Sequence, residues 1–99
     1  MFGQQVFQSA VYRVTEIHFS GNSVFRAPEL RSRMNLHTGR FSTLGRAAEF
    51  NKRVLQLDKI IITTLYKEQG YINCSVQDSF VVTENRKVHL YIHVMEGEQ

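Results

Sequence analysis

The sequence predicts an α+β domain with elements in the order β-α-α-β-β, in which a three-stranded mixed sheet of order 1-3-2 carries two helices packed on one face. Three observations predict this fold. An alternating segment ends at a glycine turn, and a long apolar helix pattern in residues 57–71, LDKIIITTLYKEQGY, stops at Gly70. Two further alternating segments, separated by a short break, complete the order.

The composition is that of one ordinary globular domain. The chain has 99 residues, of which 42% are hydrophobic and 21% are charged, and these values exclude a disordered segment. The formal net charge of +3 is a mild excess that requires no anionic partner. The single cysteine, Cys74, excludes an internal disulfide. We expect one domain over residues 12–97, an N-terminal extension over residues 1–11 and a tail of residues 98–99.

The first part of the chain is predicted to hold a strand, a turn and a short helix. Residues Tyr12 to Ser20 alternate as a strand does, and Gly21-Asn22 then turns the chain, since both residues tolerate positive φ. Pro28 suits the first position of a helix. The helix is expected to run from Pro28 to Asn35, with Leu30 and Met34 as an apolar pair one turn apart.

The second helix is predicted from an apolar repeat that begins at Phe50. Residues at spacings of three and four place one stripe on the helix, formed by Phe50, Val54, Leu57, Ile61 and Leu65. An alternative takes Ile60 to Thr64 as a strand, because all five residues are β-branched. The longer repeat and a left-handed stop at Gly70 favour the helix, and Tyr71 is expected to pack its ring at the sheet edge.

The C-terminal part is predicted to form a β-hairpin from the segments Ile72 to Glu84 and Lys87 to Glu96. In the last strand, four apolar residues alternate with a mixed set, so one face must be covered; they are Val88, Leu90, Ile92 and Val94. The predicted sheet order leaves the strand before the hairpin turn at an edge.

Two registers of the hairpin are compatible with its length. A two-residue loop at Asn85-Arg86 sets Val81 opposite Leu90 and turns Phe80 and Val82 outward. A three-residue loop, residues 85–87, pairs Val82 with Leu90 and Phe80 with Ile92 on the core face. We favour the three-residue loop because it places the apolar residues of both hairpin strands on the core face.

No catalytic or metal-binding motif is found in the sequence. Ser, His and Asp are present, but no nucleophile elbow, phosphate loop or paired carboxylate accompanies them. The residues His89 and His93 share a face of the last strand, and His18 is compatible with the same face. Positions four apart on a strand lie about 13 Å apart, too far for one zinc ion. We expect no catalytic site, no metal and no cofactor.

Several short motifs, in their order along the chain, resemble those of the polypeptide-transport-associated (POTRA) domain of the surface antigen family of outer-membrane assembly proteins. They are Ile17-His18-Phe19-Ser20-Gly21-Asn22, the Leu30 to Leu36 helix followed by Gly39, the Asp58 to Tyr66 helix, Gly70-Tyr71 and Val94-Met95-Glu96-Gly97. The resemblance covers about Val11 to Gly97. Its long middle, Gly39 to Phe50, departs from the family pattern and leaves the start of the second helix undetermined.

The resemblance implies a polypeptide-binding module at the periplasmic face of the bacterial outer membrane, within a larger outer-membrane protein. Its partners would be unfolded outer-membrane proteins or assembly subunits, adjacent POTRA domains and a membrane barrel in the parent chain. Contact with the membrane surface is compatible with that position, and no nucleic-acid partner is implied.

The predicted edge strand suggests how such a module binds its clients. Unpaired backbone N–H and C=O groups accept an extended peptide of almost any sequence. The segment contains neither Pro nor Lys, residues that often protect sheet edges. The candidate peptide-binding residues are Val76, Gln77, Asp78, Ser79, Phe80, Val81, Val82 and Thr83. The alternative is that this strand only closes the sheet and that contact occurs between neighbouring modules.

A K-homology-like RNA-binding module is the alternative function, because it begins with the same order of elements. Its backbone clamp requires a Gly-x-x-Gly loop between the helices. Here the interhelical stretch offers Gly39 and Gly45, which are six residues apart, and no final helix follows Glu96. The basic residues are also scattered along the helical middle, which favours a solvated surface.

Overall fold

The computed structural model describes residues 11–36 and 49–99. Its elements are β1 (Arg13–Ser20), α1 (Ala27–Arg33), α2 (Lys52–Glu68), β2 (Ser75–Thr83) and β3 (Lys87–Met95). The sheet order is β1-β3-β2, with β3 parallel to β1 and antiparallel to β2. The predicted fold class, element order and strand order are therefore confirmed.

The core lies between the central strand β3 and the two helices. Four alternating side chains of β3 are fully buried: Val88, Leu90, Ile92 and Val94. The last three of them meet Val14 and Ile17 of β1, Leu30 of α1 and Ile62 of α2 in one cluster. Since a buried aliphatic side chain is worth about 1.5–3 kcal/mol, this row makes a large contribution to the stability of the domain.

Helix α1 is short because the chain turns away from it to meet a buried carboxylate. It begins with Pro28 in its first turn and ends at Arg33, two residues before the predicted end at Asn35. Met34 is already extended, with φ −84° and ψ 151°. The backbone N–H groups of Asn35 and Leu36 donate to Asp58 of α2, which gives these N–H groups partners outside the helix.

Helix α2 begins after a side-chain cap that fixes the start left undetermined by the sequence. The Asn51 side-chain oxygen accepts hydrogen bonds from the backbone N–H groups of Arg53 and Val54, at 2.8 and 3.1 Å. This is the standard use of asparagine at a helix N-terminus. After the helix, Gly70 has φ +96°, as predicted for its stop.

The predicted buried stripe of α2 is wrong by a partial rotation of the helix. The residues buried in the structure are Leu55, Asp58, Ile62 and Tyr66. Phe50, Val54 and Leu65 of the predicted stripe pack only at the margin of the core, and Leu57 is 52% exposed. The error arises because two of the four buried positions carry polar groups, which a hydrophobic repeat does not detect.

The hairpin keeps the predicted loop length and faces, but its register differs by two residues. The loop is a three-residue turn, Glu84–Arg86, and Thr83 pairs with Lys87. Val82 therefore pairs with Val88 rather than Leu90, and Phe80 pairs with Leu90 rather than Ile92. The turn uses two left-handed residues, Asn85 and Arg86, with φ of 65° and 58°, and so begins one residue earlier than predicted.

The turn after β1 relies on glycine, as predicted. Gly21 has φ +78°, and a Cβ at this position would collide with the Val94 carbonyl oxygen of β3. Asn22 contributes in a different way from the predicted one, because its side-chain amide donates to the Phe25 carbonyl oxygen at 2.9 Å. Gly39, the remaining motif glycine of the interhelical stretch, lies outside the described residues.

Candidate functional site

The candidate site is the outer edge of β2. This strand pairs with β3 on one side, and no described strand pairs with its other side. In an antiparallel pair the N–H and C=O groups of alternate residues point away from the partner strand. The eight residues predicted for peptide binding, from Val76 to Thr83, all lie in this border strand. Their backbone therefore presents an unpaired hydrogen-bonding edge to a partner.

The helix-side row of β2 is apolar at both ends and becomes more exposed toward the hairpin turn. Val76 packs against the core, whereas Phe80 is 37% exposed and Val82 is 50% exposed. The Phe80 ring contacts the Phe50 ring at 4.8 Å between centroids, with the Lys52 ammonium 5.8 Å from the Phe80 centroid. The exposed apolar surface at this end suits apolar side chains of a partner.

An ion pair interrupts that apolar row. The Lys59 Nζ atom of α2 donates to the Asp78 Oδ1 atom of β2 at 2.6 Å, and each side chain is 21% exposed. The sequence analysis found no lysine within the edge strand, but the fold supplies one from the neighbouring helix. No sequence signal links the two residues, because they are 19 positions apart in different elements.

Helix α2 carries two exposed apolar side chains, which the sequence analysis did not assign to the site. Ile60 is 60% exposed and follows Lys59, the residue that reaches β2. One residue corresponds to about 100° around a helix, so Ile60 is turned away from the Lys59 side that reaches β2 and lies on the solvent side of the helix. Leu57, predicted to be buried, lies one turn earlier and is also exposed. Both side chains belong to the solvent-facing side of α2, opposite its buried residues.

The start of β2 is attached to the end of α2 by two side-chain contacts. The Tyr71 ring packs edge-to-face on the buried Tyr66 ring of α2, with 5.8 Å between the ring centroids. The Cys74 thiol donates to the Thr63 carbonyl oxygen at 3.7 Å. Burial raises the pKa of the Cys74 thiol, which keeps it protonated and unreactive. The edge strand therefore begins from a fixed position.

The opposite, open face of the sheet carries the three histidines singled out in the sequence. The Glu16 carboxylate contacts His18 Nε2 at 2.7 Å and His89 Nε2 at 3.3 Å. The hydrogen bond with His18, helped by the charge of His89, lowers the pKa of the Glu16 carboxyl. His93 contacts the Ser20 hydroxyl at 2.7 Å. Among residues 11–36 and 49–99, no group of three side chains is arranged to hold a metal ion.

The end of β3 is held by a carboxylate that joins three segments. The Glu96 Oε2 atom accepts hydrogen bonds from the Tyr66 hydroxyl at 2.6 Å and from the Val24 backbone N–H at 2.8 Å. Burial and the neighbouring Glu96 raise the pKa of Tyr66 well above its ordinary value. Burial raises the pKa of Glu96, but its hydrogen bonds outweigh this effect, so the net pKa is lowered.

In the described part of the chain, no helix has the length and apolar character needed to cross a bilayer.

The family profile described as "Surface antigen variable number repeat", the POTRA domain, matches residues 12–97. The chain belongs to the POTRA family. The predicted resemblance is thereby confirmed. The POTRA domain of this chain contains the strand order, the Gly21 turn and the Glu96 contacts described above.

Two curated proteins are similar to this POTRA domain. An outer membrane protein assembly factor of Treponema pallidum (strain Nichols) is 32% identical over 92 residues, which are 87% of this chain and 11% of that protein. The outer membrane protein assembly factor BamA of Neisseria meningitidis serogroup B (strain ATCC BAA-335 / MC58) is 29% identical over 87 residues, again 87% of this chain and 11% of the relative. The chain thus spans about a ninth of the length of these relatives.

Proposed function

We propose that this POTRA domain is a periplasmic module of an outer-membrane barrel assembly or transport protein, and that it receives polypeptides by strand addition at β2. The clients would be unfolded outer-membrane proteins or accessory subunits of the assembly machinery. The names of the two relatives support the assembly role. The unpaired edge of β2 is the observation that carries the binding mode.

The geometry supports addition of an extended chain better than binding of a compact ligand. Main-chain pairing provides affinity without a fixed client sequence, while side chains next to the strand add modest preference. The edge has nine residues, Ser75–Thr83, which is close to the roughly 9–11 residues of a strand that crosses an outer membrane. A client strand therefore matches the site in length as well as in backbone chemistry.

Hydrogen exchange of backbone amides tests this binding mode directly. We expect a ten-residue synthetic peptide with alternating apolar and polar residues to slow exchange at every second amide between Val76 and Thr83. The remaining amides of β2 already bond to β3 and should change little. A peptide of the same composition with a central proline serves as the control, since proline removes a donor and disrupts pairing.

A pair of variants at one outward amide completes the experiment. Exchange in the free domain identifies the outward set, and one member of that set is changed to proline and, separately, to alanine. We expect the proline variant to lose client crosslinking while its circular dichroism spectrum stays unchanged, and the alanine variant to retain crosslinking. Equal crosslinking of both variants would refute strand addition at β2 and leave contact between modules as the role of this surface.

A further inference from the structure

The helix-side face of the sheet has one charged position in an otherwise apolar surface. The inward residues of β3 are aliphatic, as is Ile17 of β1. On β2 the inward row reads Val76, Asp78, Phe80 and Val82, so Asp78 interrupts it at the second position. Its partner on β3 is Ile92, which supplies no hydrogen bond to a side chain.

The Lys59–Asp78 pair is only partly separated from water. Each side chain keeps 21% of its surface exposed, so water still reaches the pair at the border strand. A strand added to β2 would set one of its helix-side residues next to Asp78, with Cβ atoms about 4.5–5.5 Å apart. That residue would cover the remaining exposed part of both charged groups.

The chemistry of that neighbouring residue decides whether the covering is tolerated. An apolar side chain removes water from the pair and returns no hydrogen bond, which makes burial of charged groups costly. A hydroxyl or amide side chain replaces the lost water with a hydrogen bond. Inward-pointing charges on edge strands are a known device against unwanted edge pairing, and this position has that form.

We propose that the Lys59–Asp78 pair selects client strands that carry a polar side chain at the helix-side position beside Asp78 and an apolar one beside Phe80. The proposal rests on the proposed function, because it concerns which strands are accepted at the same edge. Fully apolar strands are disfavoured. The substrate class is therefore an extended polypeptide whose inward row contains a polar residue among apolar ones.

Two isosteric peptides test the selection. Both are ten-residue alternating peptides with an apolar helix-side row, and they differ at one central position of that row, which is Thr in one and Val in the other. Threonine and valine have nearly the same shape, so the comparison isolates the hydroxyl. We expect the natural domain to bind the Thr peptide at least about tenfold more tightly, the effect of one hydrogen bond to a charged group.

A double variant, Lys59→Met with Asp78→Val, should reverse this preference. Changing both residues together leaves no unpaired buried charge, so the fold is expected to persist. The exchanged pair, Lys59→Asp with Asp78→Lys, keeps both charges and should still prefer the Thr peptide. It therefore tests the proposal independently if the apolar variant does not fold.

The outcomes separate this proposal from the proposed function. If both peptides bind the natural domain with equal affinity, strand addition stands and selection by the ion pair is wrong. An unchanged Thr preference in the folded double variant also overturns the selection. If neither peptide binds any of the proteins, strand addition at β2 itself fails.

Discussion

Replacing Asp58 should cost this domain a large part of its stability. The Asp58 carboxylate is fully buried and accepts hydrogen bonds from three donors. They are the Asn35 backbone N–H at 2.7 Å, the Asn35 side-chain amide at 3.0 Å and the Leu36 backbone N–H at 2.9 Å. These bonds hold the chain where it leaves α1 against the middle of α2.

The magnitude follows from the burial of each donor. Leu36 is buried, so its N–H loses a charged acceptor that water cannot replace, at a cost of about 1.5–3 kcal/mol. Asn35 is exposed, so water can recover part of its two bonds, and these add about 0.5–1 kcal/mol. Asp58→Ala should therefore destabilise the domain by about 2–4 kcal/mol, a large share of the roughly 5–15 kcal/mol typical of such domains.

Urea and thermal unfolding followed by circular dichroism measure this cost. A loss of this size should lower the melting temperature by at least about 8 °C in a domain of this length. Asp58→Asn should cost somewhat less stability, because the new carbonyl oxygen still accepts a hydrogen bond. Some cost remains, because the new amide group is itself a donor and faces another donor. Gln56→Ala, at an exposed position of the same helix, is the matched control and should change stability by less than about 0.5 kcal/mol. An Asp58→Ala variant as stable as this control would refute the reasoning.

Two further predictions concern the turn after β1 and the end of β3. Gly21→Ala should cost more stability than Gly97→Ala in thermal unfolding, because both residues have positive φ but only at Gly21 would a Cβ collide with the Val94 carbonyl oxygen. Equal losses would contradict the collision. Tyr66→Phe should weaken the dependence of stability on alkaline pH. The raised pKa keeps Tyr66 protonated in the folded state while the unfolded chain ionises near its ordinary value of 10.0, so stability falls as pH rises above that value. The measurement is the urea midpoint at pH values on both sides of 10, in the natural domain and in the variant. If the midpoint falls equally with pH in both, the Tyr66–Glu96 contact does not cause the pH dependence.

The sequence predicted the elements whose signals are local. The turn at Gly21, the helix start at Pro28 and the stop at Gly70 each depend on the conformational properties of one residue, and the structure confirms all three. The strand order was predicted by reversing the chain direction at each connection, which makes the last strand parallel to the first and antiparallel to its hairpin partner, and by placing the last strand between them. The position of β2 at the edge was therefore predictable.

The sequence could not predict contacts that depend on residues far apart in the chain. Asp58 belongs to the buried stripe of α2 because donors 22 and 23 positions earlier reach it, and a hydrophobic repeat scores such a residue as exposed. The hairpin register depends on Arg86 adopting a left-handed conformation, which is uncommon for this residue type. The Lys59–Asp78 pair likewise exists only after α2 packs beside β2.

The distribution of these contacts separates stability from selectivity in this POTRA domain. Asp58 and Glu96 hold the chain at the end of α1 and at the end of β3, and neither belongs to the strand that borders the sheet. The Lys59–Asp78 pair lies at that border and keeps part of its surface in water, where an ion pair contributes little to folding. Substitutions at the first two sites should therefore lower stability without changing the preference between the Thr and Val peptides. Replacing the border pair by Lys59→Met with Asp78→Val should reverse that preference at nearly constant stability, because a pair that is still in contact with water contributes little to folding.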